Sequence, residues 1–263
     1  MSKVFIDEST LTAIGDAIRS KEGSEGLIPT TEMKSRIEAI SGGVNYLDYI
    51  QTCKFDSLNL FGKSKVELSF AKSTNLNGMF TPKFSSSAEY KENANITVEE
   101  LILHAQNPIT SIQQLFDLHV SGRDAALKQL TFDVDFSNLQ AANMVFIGLN
   151  VLEIIDGTPI NLSNLGADAV KFMQNCPKLR EIRFSGILSR NFGFDATVVE
   201  LSKDSIESIM NCLSADATDQ TLTLPLTAVN TAFETSEGAA DGSTSAEWLA
   251  LVAAHSNWTI SLV

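Results

Sequence analysis

The first forty residues carry apolar side chains at helical spacing in two short stretches. The apolar positions are Leu11, Ile14 and Ile18 in the first stretch, and Met33, Ile37 and Ile40 in the second. Residues three and four apart share one face of a helix, so the pattern predicts a helical hairpin over residues 1–42. Two helices this short cannot bury both apolar stripes alone. We therefore expect the hairpin to dock on the rest of the chain, on another copy or on a larger assembly.

After the hairpin, short apolar runs recur at a loose interval. The template is an apolar residue, two free positions, a second apolar residue, one free position and a third apolar residue. It fits residues 55–60, 98–103, 127–132 and 179–184, and residues 152–155 supply half of it. The last four runs begin at Val98, Leu127, Leu152 and Leu179, which are nearly evenly spaced. Leucine-rich repeats recur every roughly 20 to 29 residues, and these starts match that spacing, so each run is interpreted as one strand of a repeat.

Aromatic return segments separate these strands. Residues 115–116, 144–146 and 172–173 each contain a Phe and precede the next strand. A phenyl ring is large enough to fill the interior of a wide coil. The region from residue 43 to residue 200 is therefore predicted to be an irregular, solenoid-like leucine-rich-repeat domain.

Beyond residue 200 the pattern changes to alternating helices and strands. The apolar residues of segments 204–213 and 246–254 have helical spacing, whereas residues 221–224 and 258–263 are predicted to form strands. A stack of repeats needs a cap because its last strand otherwise exposes backbone groups and an apolar face. The fold class is thus α+β, in three parts: a helical hairpin over residues 1–42, a repeat domain over 43–200 and an α/β cap over 201–263.

The segment from Phe172 to Ile182 carries a family resemblance. It contains a Phe, then Asn175-Cys176, then Leu179 with Ile182 three positions later. This unit resembles the BspA-like leucine-rich repeat proteins of bacteria and their phages, over roughly residues 95–200. Residues 149–152 look like a degenerate copy that lacks the cysteine. The resemblance implies that Cys176 is a packed thiol rather than a nucleophile.

The N-terminal stretch carries a second resemblance. Its residues are Leu-Thr-Ala-Ile-Gly-Asp-Ala-Ile-Arg at 11–19, Lys-Glu-Gly at 21–23, Ile-Pro-Thr-Thr-Glu-Met at 28–33 and Ile-Glu-Ala-Ile at 37–40. They are similar to a short module of structural proteins from phages of Gram-positive hosts. Such a module typically belongs to tail, baseplate or fibre proteins, so the resemblance implies a place in the virion.

Charge and composition exclude some partners. The formal net charge of −13 disfavours a phosphate backbone, and we expect no nucleic acid partner. From Asp204 onward the chain has eight Asp and Glu residues and no Lys or Arg. This acidic part could meet a basic partner or a cation, although a solvated surface is the commoner explanation. No apolar run approaches the length of a membrane span, so we expect no membrane insertion. Three widely spaced cysteines favour reduced thiols.

Few residues of the sequence are candidates for a catalytic or metal-binding site. His104 is predicted at a strand edge, His119 in a loop and His255 in the last turn, none with a ligand at metal-site spacing. Asp133 and Asp135 could share one face of a strand and hold calcium or act as an acid and base, but a solvated face is favoured. Phosphate-binding glycine loops and the Gly-x-Ser-x-Gly elbow of hydrolases do not occur. We therefore expect no cofactor and no enzymatic activity.

The sequence favours a phage structural or attachment protein, made in the host cytoplasm and carried on the virion. The hairpin would bind other virion proteins, and the repeats would display a surface to a host protein or glycan, as a homo-oligomer or in many copies. The candidate contact residues are Lys128, Gln129, Arg180, Glu181 and Arg183. One alternative is a leucine-rich-repeat adhesin or binding module on a bacterial surface. Another is a cell-wall-degrading enzyme of the tail.

Overall fold

The computed structural model divides the chain into two compact units, Met1–Tyr46 and Leu47–Val263. It describes residue 16 and residues 64–70, 73–80, 98–118, 126–234 and 245–263. In the first unit only Asp16 is described, and it is helical. The predicted hairpin, with its six apolar positions, therefore lies outside the described residues. The predicted strand at 55–60 does so too.

The second unit is a mixed α/β structure. Every strand pairing among the described residues is parallel, and three helices follow most of the strands. The strands are β1 (Lys65–Phe70), β2 (Glu100–Ala105), β3 (Phe116–Asp117), β4 (Gln129–Asp133), β5 (Phe146–Ile147), β6 (Ile154–Gly157), β7 (Ile160–Asn161), β8 (Ala169–Gln174), β9 (Phe184–Ser185), β10 (Phe192–Phe194), β11 (Gln220–Leu224) and β12 (Trp258–Leu262). The helices are α1 (Lys203–Met210), α2 (Leu226–Ala232) and α3 (Ala246–Ala254).

The strands form three sheets. The first sheet has the order β1-β2-β4-β6, and the second has the order β3-β5-β8-β10-β11-β12. A short pair, β7-β9, forms the third. Between β2 and β6 the chain places its strands alternately in the first and the second sheet. The buried residues of both sheets belong to one apolar core.

The register of the first sheet has the spacing seen in the sequence. Glu100, Gln129 and Ile154 stand side by side on neighbouring strands, and Glu181 forms a bridge beside Ile154. Each of these positions lies two residues after the start of its apolar run, so the template predicted their alignment. The strand β1, which the template missed, adds Lys65 beside Glu100. At the other end, residues 179–184 form only that bridge and the start of the two-residue β9, because a helix rather than a strand lies beside them.

That helix is α1, and its serine hydroxyls take the place of a further strand. Ser205 Oγ accepts a hydrogen bond from the amide of Ile182 at 3.0 Å and donates to the carbonyl of Arg180 at 3.0 Å. Ser208 Oγ accepts from the amide of Phe184 at 2.7 Å and donates to its carbonyl at 3.1 Å. Backbone groups at a sheet edge need such partners when they are buried. Side chains therefore bond the backbone of residues 180–184, the segment next to β6 of the first sheet.

The return segments are strands in their own right and bring their rings together. The ring centroids are 4.7 Å apart for Phe80 and Phe116, 6.2 Å for Phe116 and Phe146, and 5.7 Å for Phe146 and Phe172. Met173, and not Phe172, stands beside Phe146 in the register. The predicted role of Phe116, Phe146 and Phe172 as core fillers is confirmed, since all three are fully buried.

The secondary structure predicted after residue 200 is also confirmed. The helices α1 and α3 and the strands β11 and β12 occupy the predicted segments. The first helix ends at Met210, earlier than its apolar spacing indicates, and Leu213 instead forms a bridge with Leu188. Ser202 caps the N-terminus of α1 by accepting a hydrogen bond from the amide of Ser205.

Candidate interaction surface

The candidate contact residues lie in and beside the first sheet, where Gln129 belongs to β4 and Glu181 forms a bridge with β6. Side chains alternate between the two faces of a strand. In β2, Leu101 and Leu103 are fully buried, while Glu100, Ile102 and His104 retain solvent exposure. The same alternation in its neighbours makes an open face of polar side chains on a rigid backbone. We call this face, together with residues 180–183 beside it, the outward face.

Two of the candidate cations are already paired on this face. Lys128 Nζ lies 3.0 Å from Glu99 Oε2, and Arg180 Nη2 lies 3.2 Å from Glu153 Oε2. In each pair the backbone amide of the basic residue also bonds the carbonyl of the acidic residue. The four side chains are about half exposed, so each ion pair contributes at most about 1 kcal/mol. Their charges are nevertheless compensated locally.

The other three candidates differ in their surroundings. Gln129 and Glu181 flank Ile154 in one row across the sheet. Glu181 Oε1 is 3.9 Å from Arg180 Nε. Arg183 is exposed, with buried Ile182 on its N-terminal side, and it has no ion pair within the described part of the chain. The five candidates thus lie in or beside the first sheet, and of the five Arg183 is the cation without a described acidic partner.

A histidine and two carboxylates meet on this face, and the sequence interpretation missed them. His104 Nδ1 lies 2.7 Å from Asp133 Oδ2, and His104 Nε2 lies 3.7 Å from Glu67 Oε2. The expectation that His104 sits at a strand edge without such neighbours is wrong, because β2 lies between β1 and β4. The signal was present in the sequence, since Asp133 follows His104 by the same interval that separates Val98 from Leu127.

Asp133 and Asp135 do not share one face of a strand, which was the arrangement that a calcium or acid–base site would need. Asp133 ends β4 beside His104, whereas Asp135 Oδ1 accepts a hydrogen bond from the amide of Ser137 at 2.7 Å. The strand ends before Asp135, so the two carboxylates have separate partners. Among the residues the structure describes, no three His, Cys, Asp or Glu side chains are arranged to hold a metal ion.

The two described cysteines are buried thiols. Cys176 Sγ donates to the carbonyl of Gln174 at 3.3 Å, and burial raises the pKa of the Cys176 thiol to about 12. Burial likewise raises the pKa of Cys212 to about 11. Both thiols stay protonated at neutral pH, and a protonated thiol is a poor nucleophile. The packed-thiol interpretation of Cys176 is confirmed by its complete burial.

No described helix has the length and apolar character needed to cross a membrane. Compared with protein-family models, with curated proteins and with solved structures, the chain matches none.

Proposed function

We propose that this protein is a non-enzymatic attachment or structural component of a phage virion, which binds its partner through the outward face. The observation that carries the proposal is that face itself: a four-stranded parallel sheet with compensated charges at its border and polar side chains along its rows. Interfaces are commonly built from such mixed polar surfaces on rigid scaffolds. The N-terminal sequence resemblance supports the place in the virion.

In this proposal the second unit is an irregular leucine-rich-repeat coil. Support comes from the alternation of strands between two parallel sheets, from a register that follows the apolar template, and from the buried rings inside. A repeat coil exposes one long side that makes many small contacts. Copies on one particle turn weak contacts into strong attachment.

The surface chemistry favours a hydrogen-bonding partner over an apolar one. Ile102 and Ile154 are the apolar residues on the outward side of β2 and β6, and both are partly covered by their neighbours. Arg183 offers a guanidinium without an ion pair in the described part of the chain, and this group binds carboxylates in a planar, two-bond geometry. A host surface protein or an acidic glycan would meet these requirements.

Mass spectrometry of purified particles tests the place in the virion. We expect peptides of this chain in particles that have been stripped of soluble host protein, and their absence would refute virion incorporation. A chain that lacks residues 1–42 should fold but stay out of the particle. Normal incorporation of that shortened chain would show that the hairpin is not the anchor.

Charge reversal tests the outward face. The full chain, labelled with a fluorophore, is titrated onto cells of the phage's host strain. We expect Arg183→Glu to weaken binding by about tenfold or more, because it places a negative charge at the contact. Arg190→Glu is the matched control, since Arg190 is also exposed but lies outside the outward face. Equal binding by the two variants would show that the face is not the contact surface.

A further inference from the structure

The strand β12 is the last strand of the second sheet, and its outer edge has no partner among the described residues. Val263 donates its amide to the carbonyl of Leu224 at 3.0 Å and accepts from the amide of Leu226 at 2.9 Å. Backbone groups of successive residues point to opposite sides of a strand. The amides and carbonyls of Ile260 and Leu262 therefore point away from β11. Within the described ranges, no residue bonds these outward groups.

The first sheet shows that such an edge can be closed. There the hydroxyls of Ser205 and Ser208 bond the backbone of residues 180–184. No comparable side chain reaches β12 within the described part of the chain. As far as the described residues go, the segment 180–184 thus ends against a helix, whereas the second sheet ends at the unpaired edge of β12.

The open edge also lacks the features that normally protect one. Natural edge strands carry charges, prolines or bulges that prevent pairing with another chain. Between Trp248 and Leu262 the sequence has no Asp, Glu, Lys, Arg, Pro or Gly. The pairing of β12 with β11 runs along the whole of both strands without a bulge. A regular, uncharged edge of this kind is a template for another strand.

The apolar core extends to this edge, where its outermost side chains are only partly buried. Leu222 and Leu224 of β11 are fully buried, whereas their register partners Ile260 and Leu262 are only partly buried. A further strand beside β12 would cover the exposed parts of these two side chains. Hydrogen bonding and apolar burial would then favour the same event.

We propose that β12 pairs with β12 of a second copy of this chain, antiparallel and about a two-fold axis at Ile260. Ile260 then faces the same residue of the second copy and exchanges two hydrogen bonds with it. Thr259 faces Ser261, and Trp258 faces Leu262. Two-fold dimers are the commonest oligomers, and this edge is self-complementary because no charged residue meets its own copy. The dimer joins two six-stranded sheets into one. This inference does not rest on the proposed function.

Two double variants that differ only in charge test the pairing. Thr259 and Ser261 lie on the face of β12 opposite the buried Trp258, so both can be replaced without placing a charge in the core. In the dimer, T259K/S261K places lysines opposite lysines twice, whereas T259K/S261E places each lysine opposite a glutamate. Like charges directly opposite destabilise strand pairing, and opposite charges stabilise it.

The measurement is the molar mass of the full chain by sedimentation over a range of concentrations. We expect the native chain to approach twice its monomer mass, T259K/S261K to dimerise about tenfold more weakly, and T259K/S261E to dimerise like the native chain. Thermal unfolding of each variant checks that it remains folded. A native chain that stays monomeric at about 100 µM overturns the proposal, because the Kd of the dimer would then lie well above the micromolar range. Equal dimerisation of both variants also overturns it, because the interface then lies elsewhere.

Hydrogen exchange provides a second, residue-level readout. Pairing would protect the outward amides of Ile260 and Leu262 in the dimer, and dilution would remove that protection. Exchange in the peptide that covers β12 should therefore slow as the protein concentration rises. Exchange that does not depend on concentration, in a chain shown to dimerise, would place the dimer contact away from β12.

Discussion

The serine closure of the first sheet leads to a quantitative prediction. Ser205 is buried, and its hydroxyl bonds both the amide of Ile182 and the carbonyl of Arg180 at 3.0 Å. In Ser205→Ala the amide of Ile182 loses its partner in a place that water reaches poorly, while the carbonyl of Arg180 keeps the hydrogen bond that it accepts from the amide of Ser202 at 2.8 Å. A buried polar group left unpaired costs about 1–3 kcal/mol. Alanine has a higher helix propensity than serine, which offsets a few tenths of a kcal/mol of this loss. We therefore expect the free energy of unfolding to fall by about 1–3 kcal/mol.

Ser208→Ala should have the same sign and a smaller size. Ser208 makes two equivalent bonds to the backbone of Phe184, but it is only partly buried, so water can replace part of what is lost. We expect a decrease of about 1–2 kcal/mol. A helix that merely packs against the sheet, without closing its edge, would tolerate both replacements.

Urea unfolding followed by circular dichroism measures these differences. Ser189→Ala is the matched control, because Ser189 is exposed and forms no hydrogen bond among the described residues. Its effect should lie within about 0.5 kcal/mol of zero. If Ser205→Ala were as mild as Ser189→Ala, the hydroxyl would not be closing the sheet edge and the reasoning would be refuted.

Three further predictions concern the backbone, the core and the thiols. Gly157→Ala should lower the free energy of unfolding by about 2 kcal/mol or more, because φ is +87° and an added Cβ would overlap the carbonyl oxygen of Phe132. Gly166→Ala, whose Cβ would lie 3.7 Å from the carbonyl oxygen of Gln140, should be nearly neutral in the same urea assay. Phe146→Ala should cost about 3–5 kcal/mol by urea unfolding, since the ring is fully buried, and a loss below about 1 kcal/mol would contradict its role in the core. Burial raises the pKa of Cys176 from 9.0 to about 12, so the folded state keeps a proton that the unfolded state loses. This contribution of Cys176 to the free energy of unfolding is complete below pH 9.0 and is lost as the pH rises toward 12, by up to about 1.4 kcal/mol per pH unit. Cys176→Ala should make that decline less steep, and an unchanged slope would show that the thiol does not cause it.

Much of the architecture of the second unit could be predicted from the chain. Apolar alternation marks strands, and the distance between equivalent apolar residues sets which strands lie side by side. For this reason the template starting at Val98 predicted the register that joins Glu100, Gln129 and Ile154. The apolar positions of α1 likewise predicted a helix, because side chains three and four apart must share a face.

The candidate surface was less predictable. Lys128 and Arg180 are exposed, but whether each is paired depends on Glu99 and Glu153, which lie far away in the sequence. Asp135 was misplaced because a turn begins soon after β4 ends. Turn geometry of this kind depends on a single side-chain hydrogen bond, which apolar patterning does not register.

The sequence by itself determined the strands, the helices after residue 200 and the repeat intervals, because these follow from the spacing of apolar side chains along one chain. Only the tertiary structure decided which groups meet between segments far apart in the chain: the His104 and Asp133 pair, the serine bonds to residues 180–184 and the edge at β12. It also decided the pKa of Cys176, which depends on how completely the surrounding segments exclude water from the thiol. Such contacts join residues far apart in the chain, so their energies depend on the register and on burial rather than on local preference.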